Sequence, residues 1–84
     1  MSKISYVATC AEPGEGMFGI LLDIHFDNGQ IILLSLKEKK DNPAFLSLYI
    51  SGELNRPKTD GDSIYWKNGP RLFLHEIMEM ARRI

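Results

Sequence analysis

Residues 17–36 read MFGILLDIHFDNGQIILLSL. Two apolar, β-rich runs flank Asp27-Asn28-Gly29, the composition of a tight hairpin turn. The turn length sets the register, and a one-residue slip changes which side chains share a face. A two-residue Asn28-Gly29 turn would set Ile24 opposite Leu33 and Leu22 opposite Ser35. A three-residue loop with Gly29 left-handed sets Ile24 opposite Ile32 and Leu22 opposite Leu34. The second choice gathers Phe18, Ile20, Leu22, Ile24, Phe26, Ile32, Leu34 and Leu36 on one apolar face. Its reverse face carries Leu21, Asp23, His25, Ile31, Leu33 and Ser35. The three-residue loop is the expected one.

Working outward, residues 4–10 alternate as a first strand, with Ile4, Tyr6 and Ala8 opposite Ser5, Val7 and Thr9. Residues 12–16 (EPGEG) are turn chemistry. Two glycines without a following Lys-Ser/Thr make no phosphate loop. The KEKK run at 37–40, interrupted by Glu38, reads as a solvated turn. After the hairpin, Asp41-Asn42-Pro43 starts a helix over 44–50, ending near Ser51-Gly52. Phe45, Leu48 and Tyr49 form its expected buried stripe. Residues 53–63 are polar and turn-rich, with room for a short edge strand. A second hairpin follows, 63–66 and 70–73 around Lys67-Asn68-Gly69, and Pro70 confines its return strand to an edge. A last helix begins near Leu74, with Leu74, Ile77, Met78, Ala81 and Ile84 as one stripe. Met80 falls outside that stripe and is expected on the surface. Glu76 is expected in solvent near the positive helix end, with Arg82 and Arg83 near the negative one. The reading is one α+β domain over 1–84: an antiparallel sheet of about five strands with two helices packed on one face.

At 84 residues the chain suits one domain with a thin stability margin. A single cysteine, Cys10, rules out an internal disulfide and a thiolate zinc cluster. Self-association is the remaining way to reinforce so small a core. The net charge of −1 lacks the basic excess of a nucleic-acid binder. The start of the chain lacks a secretory pattern, and no apolar run approaches the roughly 20 residues that span a bilayer. A cytoplasmic protein without membrane or direct nucleic-acid contact is expected.

Phe26-Asp27-Asn28-Gly29, Asn42-Pro43-Ala44-Phe45 and Ile64-Tyr65-Trp66-Lys67-Asn68-Gly69 follow one another along the chain. In order and spacing they resemble the F-D-x-G hairpin, N-P-x-F helix start and late I-x-W-x-N-G segment of a small bacterial domain family of unknown function. The resemblance implies a small α+β domain, found alone or fused to a helix-turn-helix. In other cases it is encoded beside a second small protein, in an arrangement similar to toxin–antitoxin pairs. It implies no catalytic residues; Trp66, Asn68 and Gly69 match its motif as a core aromatic and a turn.

Asp23 and His25, two apart on one strand, share a face where a carboxylate could orient an imidazole. A dyad also needs a nucleophile or substrate beside it, and Ser35 falls at the far end of the paired strand. His75-Glu76 lacks a second histidine one turn on. Asp60-Gly61-Asp62 opens like a calcium loop without its later ligands. Cys10 has no flanking cation to activate it. No metal, no cofactor and no enzyme are expected. The reverse face of the first hairpin is too apolar to be left bare, and Leu21, Ile31 and Leu33 are the expected interface of a homodimer. A protein partner is a further expectation. The rival readings are a small-ligand site using Asp23, His25, Tyr65 and Arg71, and an enzyme built on Asp23 and His25.

Overall fold

Gly29 sits at φ 90° in the computed structural model, which describes residues 2–11 and 19–82. Strands β2 (Ile20–Phe26) and β3 (Ile31–Ser35) pair antiparallel with Ile24 opposite Ile32 and Leu22 opposite Leu34, the register of the three-residue loop. Gly29 N–H donates to the Phe26 carbonyl at 3.1 Å, and Phe26 N–H to that of Gln30 at 2.8 Å. Asn28 Oδ1 accepts from Gln30 N–H at 2.9 Å, which closes the loop. Ile20, Leu22, Ile24, Phe26, Leu34 and Leu36 are buried together, with Ile32 half-buried beside them. Phe18, Met17 and the expected turn at 12–16 lie outside the described residues.

Strand β1 (Ile4–Ala11) pairs antiparallel with β2, but its register shifts between Ile4 and Tyr6. This irregularity brings Ile4 and Val7 to the same, buried side and turns Tyr6 outward, 56% exposed. A strict alternation had set Tyr6 with Ile4 and Val7 opposite; an extra residue in one strand of a pair undoes that alternation.

The single five-stranded sheet gives way to two sheets. Strands β1-β2-β3 form one, and β4 (Lys58–Thr59), β5 (Ser63–Tyr65) and β6 (Arg71–Phe73) form the other. The chain approaches the free edge of β1 without pairing along it. Ile4 N–H donates to the Gly61 carbonyl at 2.9 Å, and Thr9 Oγ1 to Asn55 Oδ1 at 3.2 Å. Two features keep β4 to two residues: Pro57, which has no N–H for a ladder, and the turn at Gly61, φ 98°.

Helix α1 (Pro43–Ser51) is capped by Asn42, whose Oδ1 accepts from Ala44 N–H at 2.9 Å, and stops at left-handed Gly52. Phe45 and Leu48 are buried, whereas Tyr49, expected with them, is 38% exposed. The helix is apolar nearly all round, so its sequence holds no stripe from which to choose a buried side. Helix α2 (Leu74–Arg82) buries Ile77 and also Met80, which was expected on the surface; Leu74, Met78 and Ala81 are only half-buried. Glu76 is not simply solvated either, since it accepts from Lys39 Nζ at 2.8 Å. That contact makes Lys39, in the 3₁₀ turn Lys37–Lys39, more than part of a solvated loop.

One core results. The apolar face of the first sheet meets Phe45 and Leu48 of α1, Leu54, Ile64, Trp66 and Leu72 around the second sheet, and Ile77 and Met80 of α2. Both helices and the second sheet contribute to that single cluster, and the opposite face of the first sheet stays at the surface.

Candidate functional site: the outer face of the first sheet

Across β1-β2-β3 the outer face runs in rows set by the two ladders. Tyr6, His25 and Ile31 form one row, Ala8, Asp23 and Leu33 the next, and Cys10, Leu21 and Ser35 the third. His25 Nε2 lies 3.1 Å from Asp23 Oδ1, and the two side chains are 35% and 34% exposed. The Tyr6 ring meets the His25 ring edge-on, centroids 5.4 Å apart. On the β3 side Ile31 is 56% and Leu33 53% exposed. A satisfied polar pair is thus flanked by apolar side chains in water.

The Ser35 hydroxyl accepts from Lys37 N–H at 3.1 Å and stands two rows from His25. Cys10, exposed, is in that same far row. The Ser5 hydroxyl donates to the His25 backbone carbonyl at 3.2 Å rather than to its imidazole.

Tyr65 and Arg71, expected as polar groups of the same ligand site, lie on the second sheet, opposite one another on β5 and β6. The structure therefore joins the four residues as two pairs on two sheets. The Arg71 guanidinium lies 4.5 Å from the Tyr65 ring centroid. Its Nη1 donates to Asp60 Oδ2 at 2.8 Å and to Ser63 Oγ at 2.6 Å. Asp60 also accepts from the N–H groups of Asp62 and Ser63, each at 3.0 Å. The Asp62 N–H, then the Ser63 hydroxyl and Arg71, hold the Asp60 carboxyl below the usual carboxylate range. With its oxygens committed to these donors, the Asp60-Gly61-Asp62 turn is a clasp closing the second sheet. Among the described residues no group of three His, Cys, Asp or Glu could hold a metal ion.

Two surfaces were missed in the sequence. Leu46, Tyr49 and Ile50 lie exposed together on α1, Ile50 at 76%; the apolar run from Phe45 to Ile50, interrupted by Ser47, was the available signal. A cleft of about 400 Å³ opens where α2 meets the hairpin end, walled by Phe26, Leu74 and Met78 with Ser2, Gln30 and His75 around them. No local pattern announces it, because it exists only once α2 is packed.

Compared with protein-family models, with curated proteins and with solved structures, the chain finds no match. Among the described residues no helix is long and apolar enough to cross a membrane.

Proposed function

We propose that this protein is a non-enzymatic assembly module that forms a homodimer through Leu21, Ile31 and Leu33 and, so assembled, recognises a protein partner. The observation that carries the reading is the bare outer face of the first sheet, where Ile31 and Leu33 are both more than half exposed. An antiparallel sheet with one solvated face ordinarily alternates apolar with polar residues, and adjacent exposed apolar side chains mark a contact surface. The resemblance to a family found in toxin–antitoxin-like gene pairs supports a small protein, in a cytoplasmic regulatory setting, as that partner. Light scattering over a dilution series tests the assembly. The wild type should show twice the mass of one chain, and Leu33→Asp, which places a carboxylate in an apolar contact, should show one. A wild-type monomer at high micromolar concentration would overturn the reading.

A second reading is favoured by the cleft between Phe26, Leu74 and Met78: a small, largely apolar ligand held there. Its volume of about 400 Å³ is within the range of small-molecule sites. Ligand-induced shifts of the Met78 methyl resonance in a fragment screen would support it, and an unmoved Met78 would count against it.

A further inference from the structure

We infer that the two copies join edge to edge through β3, making one continuous six-stranded sheet with Leu33 beside its own copy at the two-fold axis. This rests on the self-association reading and specifies its geometry. The starting point is the direction of the β3 backbone. Phe26 N–H bonds the Gln30 carbonyl and Leu36 N–H the Ile20 carbonyl. Antiparallel partners alternate between bonded and non-bonded pairs. The bonded pairs between those two ends are therefore Ile24 with Ile32 and Leu22 with Leu34. The N–H and C=O groups of Ile31, Leu33 and Ser35 consequently point away from β2. Among the described residues β3 pairs with β2 alone, so these groups form an open ladder edge.

Natural edges are commonly blunted by proline, an inserted charge or a bulge. Ile31–Ser35 is IILLS and contains no proline or charge, and its register with β2 is unbroken. A strand edge of this kind is self-complementary when two copies run antiparallel. Centring the pair on Leu33 sets Ile31 opposite Ser35 of the second copy. In this geometry Ile31 and Leu33 of β3 meet the second copy, while Leu21, one strand further in on β2, stays with Asp23, His25 and Tyr6 on a doubled outer face and narrows the interface proposed above to the β3 residues.

Two substitutions at Leu33 separate this geometry from a face-to-face dimer. Leu33→Pro removes an N–H that β2 does not use, and proline is tolerated on such an edge. Leu33→Thr removes the apolar tip and keeps the N–H. Edge pairing predicts that the proline variant weakens dimerisation roughly a hundredfold while threonine weakens it about tenfold or less. Equal effects of both variants, or a proline variant that dimerises as tightly as the wild type, would overturn the edge geometry and leave self-association standing. A monomeric wild type would overturn both. Amide exchange in the wild type gives a readout independent of the proline variant's folding. The Leu33 amide should exchange more slowly as protein concentration rises into the dimer range. An unchanged rate in a proven dimer would overturn the edge pairing.

Discussion

The indole N–H of Trp66 donates to the carbonyl oxygen of Leu54 at 3.0 Å, in the buried interior. The ring also meets Phe45 edge-on at 5.4 Å, so one side chain ties α1, the 3₁₀ turn Glu53–Asn55 and the second hairpin together. Trp66→Phe keeps an aromatic ring and strands the Leu54 carbonyl without its donor. The expected loss is about 2 kcal/mol, or roughly 10 °C in Tm for a domain of this size. Calorimetry would check it, and an unchanged Tm would show that the carbonyl finds another donor.

Gly29 isolates backbone strain from crowding. A Cβ built at this position meets nothing within 4 Å, yet φ is +90°. Gly29→Val should therefore destabilise by about 1–2 kcal/mol through conformation alone. Gly29→Asn should lose less, because asparagine enters the left-handed region more readily. Chemical denaturation of the pair decides this; equal losses would point to a cause other than φ.

Ile77 is fully buried and Met80 is 4% exposed, although their neighbours on α2 are half in solvent. Ile77→Ala should cost about 2–4 kcal/mol, and Met80→Ala should fall in the same range. Met78→Ala should cost distinctly less. Urea midpoints of the three variants rank the helix faces; a Met78 loss larger than that at Met80 would rotate α2 from the orientation described.

Acid sensitivity should trace to the clasp of the second sheet. The folded state holds the Asp60 carboxyl below its usual range, chiefly through the Asp62 N–H and the Ser63 hydroxyl. A depressed folded-state value stabilises the fold above the unfolded-state value, and that contribution disappears as pH falls through the lower, folded one. Wild-type stability should thus decline below the ordinary carboxylate range, and Asp60→Asn should flatten the decline while lowering stability near neutrality. Parallel acid profiles of the two proteins that differ by a constant offset would remove Asp60 from this role.

Where local chemistry settles the outcome, the structure was legible in advance. The loop at Gly29, the Asn42 cap, the stop at Gly52 and the second hairpin each follow from residues within a few positions of one another. Where packing between distant segments decides, it was not. Nothing near Ile4 announces the irregularity that sends Val7 inward. The orientation of α2, with Met80 rather than Met78 buried, is set by a surface that two sheets build together. Pro57 and the Gly61 turn, which bound β4 at two residues, were visible, but that β4, β5 and β6 form a sheet separate from β1 was not. The same limit applies to the site. Leu21, Asp23, His25, Ile31 and Leu33 share a face by strand periodicity, but that Tyr65 and Arg71 stand apart from Asp23 and His25 required the tertiary fold.

The first strand is stitched on one side to β2 and on the other to residues far along the chain. Besides the Ile4–Gly61 and Thr9–Asn55 bonds, Lys3 pairs with Asp62. During synthesis the β2-β3 hairpin can close as soon as its own residues emerge, whereas β1 must wait for residues 55–62 before its second edge is covered. Strand β1 is therefore expected to be among the last parts to lock. Cotranslational assembly should leave the β1 edge open to chaperones, or to the edge of another nascent chain, until the second sheet has emerged.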